Sequence, residues 1–250
     1  MYDRSEHSEK DRLGHRFSHI ESEAAISKDV TKAISVVILS GGQSSRMGRD
    51  KAMLQIEGMS FAEYIASSLK EADEILFSVR QEKDLPEIPL THIADIYPGC
   101  GPLAGIHSGL KHSRNPWVFI VACDTPFVNW GMVEKMYAHA ISDDGSCSAD
   151  GDSGAGGIRR DMVTTAGGSE GIPADAVIPV EDDGRFHAVC GLYHKNALNV
   201  LQEELEEGHY RVRDTLSRLR TIYIPVTAFP DYRRLFYNIN TPDDYQKVNE

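Results

Sequence analysis

The chain has few cysteines, and no two of them stand at metal-binding or redox spacing. Four cysteines are spread over 250 residues, at positions 100, 123, 147 and 190. Zinc sites and disulfide scaffolds need closely repeated cysteines, and the ten histidines are scattered as well. We therefore expect free thiols, no zinc site and a reducing, cytoplasmic location.

Long apolar runs and an excess of positive charge are also missing. The longest apolar runs are far too short to cross a bilayer, and the first residues contain no apolar signal core. The formal net charge is -12, which disfavours a general nucleic-acid binder. A small anionic substrate held by a few local cations remains compatible with this composition.

The two commonest phosphate-binding motifs do not occur in the sequence. There is no Gly-x-x-x-x-Gly-Lys-Ser/Thr string, and Gly-x-Gly-x-x-Gly does not follow the first apolar run. A different glycine-rich loop stands there instead. It runs from Ser40 through Gly41 and Gly42 to Arg46 and Lys51.

This loop follows an apolar run at 34–39 that predicts a buried strand. Glycines allow the backbone N–H groups of such a loop to form a concave nest for phosphate oxygens. Arg46 and Lys51 add a planar cation and a compact one. The pattern favours a nucleoside-triphosphate loop over an ordinary turn with solvated basic residues.

Strand and helix patterns alternate along the chain. Strands are predicted at 34–39, 74–78, 91–95, 117–123, 176–180, 186–193, 221–226 and 236–240, and helices at 61–69, 105–111, 131–141, 197–206, 211–219 and from Thr241 onward. Such alternation predicts an α/β fold with a mainly parallel sheet covered on both faces.

Two segments break this alternation. Residues 1–32 are dense in charge, Ser and His, and are predicted to form a flexible N-terminal extension, with a docking helix at 18–28 as the alternative. Residues 142–174 are rich in Gly, Ser and Asp and predict a disordered insertion. The expected organisation is a single domain over 33–250 with this insertion inside it.

Two further stretches carry candidate site residues. Asp124 follows the buried strand at 117–123, where it could hold a hard cation such as Mg²⁺ or cap the next turn. Asp95 precedes a loop whose glycines, including Gly105, permit close approach of the backbone to a flat ligand, or simply form a strand–helix connection. Ligands of open α/β sheets lie at the carboxyl ends of strands, so both aspartates could face one cleft.

Four motifs in order resemble the molybdenum cofactor guanylyltransferases, the MobA family. They are Leu-Ser-Gly-Gly-x-Ser-x-Arg-Met-Gly-x-Asp-Lys, Asp95 with Gly-Pro-Leu-Ala-Gly, Cys-Asp-Thr-Pro-Phe, and Asn-Ile-Asn-Thr-Pro-Asp-Asp. The likeness covers 34–248 except the insertion. It implies a Rossmann-like three-layer α/β/α nucleotidyltransferase fold that transfers GMP from GTP to Mo-molybdopterin, with Mg²⁺ as cofactor and release of pyrophosphate.

The resemblance also implies roles for individual residues. It assigns nucleotide binding to Leu39, Ser40, Gly41, Gly42, Lys51, Ser78, Asp95, Gly105 and Asp124, catalysis to Arg46, Lys51 and Asp124, and the metal to Asp124. Ser40 stands where relatives usually have Ala, and Ser78 where they often have Asn. Asn240 is expected near the metal or the second substrate. His187 could contact that substrate, although a structural surface histidine is favoured.

Other functions remain open at this point. A cytidylyltransferase or a sugar-phosphate nucleotidyltransferase would use the same fold, and Gly41-Gly42 and the Cys-Asp-Thr-Pro motif resemble the guanylyl members more closely. A non-catalytic, cofactor-carrying adaptor is the alternative of a different class. Possible protein partners are molybdoenzymes or other molybdenum cofactor biosynthesis proteins, and neither nucleic acid nor a membrane is expected to bind.

Overall fold

The main sheet of the protein has seven strands. The computed structural model describes residues 34–40, 51–80, 88–141 and 174–249. In chain order the strands of this sheet are β1 (Ile34–Leu39), β4 (Glu74–Val79), β5 (Thr91–Ala94), β6 (Trp117–Ala122), β7 (Ala176–Val180), β8 (Cys190–His194) and β9 (Thr221–Pro225). Their spatial order is β5-β4-β1-β6-β8-β7-β9.

Helices cover both faces of this sheet. They are α1 (Phe61–Ser68), α2 (Pro102–His112), α3 (Trp130–Ile141), α4 (Leu198–Glu206), α5 (Val212–Leu216), α6 (Tyr232–Leu235) and α7 (Pro242–Asn249), and 3-10 turns occupy Lys51–Met53, Lys195–Ala197 and Val226–Ala228. Along β1, Val36 and Ile38 join the core that contains α1 and α3, whereas Val37 joins the core that contains α2 and α4. The predicted three-layer α/β/α architecture is confirmed.

Strand direction determines where the ends of the strands meet. β5, β4, β1 and β6 are mutually parallel, and β8 runs antiparallel to both β6 and β7. β7 therefore points the same way as β6, as does β9, its parallel neighbour. The carboxyl ends of these six parallel strands thus lie at one edge of the sheet, which we call the carboxyl edge.

The predicted strand at 236–240 is wrong. The N–H groups of Phe236 and Tyr237 donate to carbonyls of α6, and the Ile239 N–H donates to the Asp124 carbonyl oxygen at 2.8 Å. The segment is therefore an irregular connection between α6 and α7 that lies against the end of β6. The predicted start of α7 is correct, because Thr241 and Asp244 cap each other and Pro242 opens the helix.

One further prediction needs correction, and one element was not predicted. The strand predicted over 186–193 begins only at Cys190, because the His187 carbonyl accepts the Cys190 N–H in a turn. A two-stranded hairpin, β2 (Gln55–Ile56) with β3 (Met59–Ser60), was not predicted. Its turn contains Glu57 and Gly58, both with positive φ, as tight hairpin turns require.

Some sequence predictions fall outside the described residues. These are the extension at 1–32 and the insertion at 142–174, apart from Ala174. Within the described part of the chain, Cys100 and Cys190 are free thiols. In that same part, no helix has the length and apolar character needed to cross a membrane.

Candidate active site

The end of β1 is held between its two neighbouring strands at the carboxyl edge. The Ser40 N–H donates to the Ser78 carbonyl of β4 at 2.9 Å. On the other side, the Cys123 N–H donates to the Leu39 carbonyl at 3.1 Å. These bonds extend the sheet one residue beyond β1 and fix the point from which the glycine-rich loop departs.

Ser78 and Asp95 form a hydrogen-bonded pair at the ends of β4 and β5. The Ser78 hydroxyl, which is only 3% exposed, donates to Asp95 Oδ1 at 3.0 Å. The Asp95 N–H donates to the Val79 carbonyl at 3.0 Å, which continues the ladder past the end of β5. Burial raises the pKa of Asp95, and the bond from Ser78 partly offsets that rise. The pair presents a partly desolvated carboxylate at the carboxyl edge.

The loop between β5 and α2 brings a helix start to the same edge. Gly99 and Gly101 adopt φ values of 88° and 72°, which favour glycine, and Pro102 opens the helix. Ser108, in the second turn of α2, accepts the Ile96 N–H at 2.8 Å. This bond closes the loop onto its own helix, so the loop behind Asp95 is held at both ends.

Gly105 permits a close approach between α2 and β1. A Cβ placed on it would lie 3.0 Å from Leu39 Cδ2 and 3.8 Å from Asp95 Oδ1. The glycine thus brings Leu39, Asp95 and the first turns of α2 together. Three residues that the resemblance assigns to the nucleotide are in one place.

Asp124 lies at the end of β6, next to the segment before α7. Its carbonyl accepts the Ile239 N–H at 2.8 Å, and the Thr125 hydroxyl lies 3.4 Å from its Oδ1. The same hydroxyl donates to Asn238 Oδ1 at 2.7 Å. A carboxylate oxygen and an amide oxygen therefore both lie within reach of the Thr125 hydroxyl, and oxygens of these two kinds are ligands that a hard divalent cation prefers.

The buried Cys190 thiol lies near this group. Burial raises its pKa, with a further contribution from the Asp124 carboxylate. The sulfur therefore stays protonated at neutral pH and adds no negative charge to the site.

The structure brings together most of the described site residues that the sequence predicts. Leu39, Ser40, Ser78, Asp95 and Gly105 lie around the ends of β1, β4 and β5, and Asp124 lies one strand further along. Gly41, Gly42 and Arg46 fall outside the described residues, and for Lys51 only the backbone is described, at the start of a 3-10 turn.

Some residues of the site were missed or placed differently by the sequence. Asn238 contacts Thr125 beside Asp124, whereas the sequence pointed to Asn240 of the same motif. Asn238 is the first Asn of the Asn-Ile-Asn motif, so the motif contained the residue. The Ile239 between the two asparagines is buried. His187, for which a surface position was favoured, has a side chain only 15% exposed.

This fold, with Asp95 and Asp124 at the carboxyl edge, is the fold of solved nucleotidyltransferase structures. A solved structure of 2-C-methyl-D-erythritol 4-phosphate cytidylyltransferase from Thermus thermophilus superposes with a TM-score of 0.57 at 15% identity, over 87% of this chain and 97% of the other. That likeness concerns the fold alone.

Sequence comparison identifies the family. The model of the MobA-like NTP transferase domain matches residues 36–222, and the chain belongs to that family. It is 31% identical to a "probable molybdenum cofactor guanylyltransferase" of Clostridium perfringens, over 86% of this chain and 95% of the relative. It is 30% identical to the molybdenum cofactor guanylyltransferase of Vibrio atlanticus, over 84% and 92%.

A solved structure of the same kind agrees. Molybdopterin-guanine dinucleotide biosynthesis protein A from Archaeoglobus fulgidus is 25% identical, with a TM-score of 0.65, over 86% of this chain and 96% of that one. The predicted nucleotidyltransferase fold and the predicted family are both confirmed.

Proposed function

We propose that this protein is a molybdenum cofactor guanylyltransferase that transfers GMP from GTP to Mo-molybdopterin and releases pyrophosphate. The observation that carries the proposal is the identity of 30–31% with relatives of that name over 84–86% of the chain. The arrangement of Asp95 and Asp124 at one edge of the sheet supports it.

The nucleotide is proposed to bind across the ends of β1, β4 and β5. Leu39, Ser40, Gly41 and Gly42 form the start of the loop that would surround it, and Gly105 leaves room beside Leu39. Asp95 can accept hydrogen bonds from N–H or O–H groups of the nucleoside. Ser78, whose hydroxyl already donates to Asp95, would act on the nucleotide through that carboxylate.

Mg²⁺ fits the oxygen-rich group at the end of β6. Asp124 would bind it, with Asn238 beside it, because Mg²⁺ prefers carboxylate and carbonyl oxygens. When bound, the cation would neutralise triphosphate oxygens and orient them for displacement. The neutral Cys190 thiol behind Asp124 would not compete for it.

The protein's own part in the reaction is charge stabilisation and alignment. A phosphate oxygen of the acceptor forms the new bond to the α-phosphorus of GTP, and the bond to the bridging oxygen breaks as pyrophosphate leaves with the electron pair. Arg46 and Lys51 would stabilise the charge that gathers on the leaving group. Because the attacking oxygen is already anionic, no general base is required.

Pyrophosphate release tests the proposal. With Mg²⁺ present, the protein should release pyrophosphate when given GTP and Mo-molybdopterin together, and not with either alone. Preference for CTP would identify a cytidylyltransferase, and turnover with a sugar phosphate would identify a sugar-phosphate nucleotidyltransferase. No release with any nucleotide would favour the adaptor.

Asp124→Asn should reduce turnover by about 10²–10³-fold, the usual cost of removing one preorganised electrostatic contact. The matched control is Asp243→Asn, an exposed aspartate in the first turn of α7. An Asp124→Asn enzyme with normal turnover and normal response to Mg²⁺ would exclude the assigned role.

The identity of any protein partner and the predicted cytoplasmic location stay predictions.

A further inference from the structure

The connection between β7 and β8, residues 181–189, packs against the segment that lies beside Asp124. Within this connection, which we call the β7–β8 loop, His187 Nε2 lies 2.9 Å from Glu181 Oε1. The His187 N–H donates to the Pro179 carbonyl, and its carbonyl accepts the Cys190 N–H. Backbone and ring of His187 are thus fixed to the sheet at the carboxyl edge.

The ring of His187 contacts Phe236. The two ring centroids are 4.5 Å apart, with an interplanar angle of 38°. Phe236 is 7% exposed, and Phe229 also packs against it, edge-on, with a centroid distance of 5.6 Å. Phe236 therefore contacts both an aromatic core residue and an imidazole that a carboxylate orients.

Phe236 begins the segment that supports Asp124. Two residues later, Asn238 Oδ1 accepts the Thr125 hydroxyl at 2.7 Å, and the Ile239 N–H donates to the Asp124 carbonyl at 2.8 Å. Ile239 itself is fully buried with Leu54, Ile56 and Phe61. The segment is anchored at its far end by this apolar cluster and at its near end by Phe236.

We propose that His187 is a positioning residue for the transfer reaction. Held by Glu181, its ring fixes Phe236, and Phe236 in turn sets where Asn238 and Ile239 meet Thr125 and Asp124. The inference rests on the proposed function, because it concerns the catalytic geometry at Asp124. It adds a residue from the β7–β8 loop that acts on Asp124 through Phe236.

The test compares three variants of the full chain. His187→Ala removes the ring, and His187→Phe keeps a flat ring over Phe236. His194→Ala is the matched control. That histidine also packs on an aromatic ring, Trp117 at 4.7 Å, and accepts a backbone N–H, but it lies at the opposite end of β8.

Steady-state kinetics with GTP, Mg²⁺ and Mo-molybdopterin provide the first readout. His187→Ala should lower kcat by about 10–10²-fold, because a small misplacement of reacting groups has effects of that order. KM for GTP should stay within about twofold of the wild-type value, because the contact between His187 and Phe236 takes no part in binding the nucleotide. His187→Phe should recover most of kcat, and His194→Ala should retain it. Equal kcat in wild type and His187→Ala, or equal losses in the His187→Ala and His194→Ala variants, would overturn the proposal.

Hydrogen exchange gives a readout that does not depend on turnover. The Ile239 amide should exchange faster in His187→Ala than in wild type, and as slowly as wild type in His187→Phe and His194→Ala. If the exchange follows this pattern but neither wild type nor any variant transfers GMP, the proposed function is wrong and the structural coupling between His187 and Ile239 is supported. Unchanged exchange at Ile239 in His187→Ala would refute the coupling itself.

Discussion

Ser78→Ala is the most informative single change on the nucleotide side of the site. The Ser78 hydroxyl is 3% exposed and donates to Asp95 Oδ1 at 3.0 Å. A hydrogen bond to a charged group contributes about 1.5–3 kcal/mol, and half-burial of Asp95 places this bond near the lower end. Without it, the carboxylate also loses the contact that opposes its raised pKa.

Two magnitudes follow from this loss. The free energy of unfolding should fall by about 1–2 kcal/mol, which lowers Tm by a few degrees in a chain of this size, at about 2–4 °C per kcal/mol. The Kd for GTP with Mg²⁺ should rise by about tenfold, because Asp95 is left both less well oriented and harder to ionise. Titration calorimetry measures Kd, and a thermal melt without nucleotide measures Tm.

Ser113→Ala is the matched control for this experiment. Ser113 is also 3% exposed, and its hydroxyl donates to the Gly109 carbonyl at 2.7 Å. It follows the end of α2, away from the carboxyl edge. The Ser113→Ala variant should lose about as much stability as Ser78→Ala and should keep the wild-type affinity for GTP. If Ser78→Ala binds GTP as tightly as Ser113→Ala does, the role given to the Ser78–Asp95 pair is refuted.

Two further changes test the same region. Because burial raises the pKa of Asp95 above its ordinary value of 3.8, its stabilising contribution is complete below that pH and is lost as pH rises through the folded pKa. Asp95→Asn should remove this loss of stability, so its free energy of unfolding in urea should exceed that of wild type by an amount that grows with pH, while its affinity for GTP is lost. A gain in stability confined to acid pH would contradict the direction of the pKa shift. Gly105→Ala places a Cβ 3.0 Å from Leu39 Cδ2, at the flexible end of that side chain, so it should change Tm little but weaken GTP binding. Gly109→Ala places a Cβ 3.1 Å from both γ-carbons of Val37, whose side chain is stiffer, so this variant should have a lower Tm. A larger drop in Tm for Gly105→Ala than for Gly109→Ala would contradict this account of the packing.

The strands that are buried on both faces are predicted well by the sequence. β1 and β7 have the predicted bounds, because a short run of mostly apolar residues between polar or glycine-rich residues leaves little choice of structure. The segment at 236–240 shows the limit of this reasoning. Its aromatic and apolar residues match a strand, but its N–H groups find partners in α6, α7 and Asp124. The partners in α6 and α7 are neighbours in sequence and turn the chain away from an extended path, whereas Asp124 is distant in sequence and no local pattern contains it.

The candidate site could be predicted as a set of residues but not as a set of contacts. Asp95 and Asp124 are recognisable because Asp95 ends one predicted strand and Asp124 follows another. The Ser78–Asp95 bond depends on the register of β4 with β5, in which Ser78 pairs with Ile93, and the sequence leaves that register open. The contact of Asn238 with Thr125 spans 113 residues and depends on how the chain returns to the sheet.

The fate of each phosphate of GTP tests the central claim most directly. With Mg²⁺ and Mo-molybdopterin, GTP labelled at the α-phosphorus should transfer its label to the pterin product, and GTP labelled at the γ-phosphorus should release its label as pyrophosphate. Because the new bond forms at the α-phosphorus, the two labels must separate in equal amounts. Label that leaves as free GMP or inorganic phosphate without any pterin product would contradict guanylyl transfer.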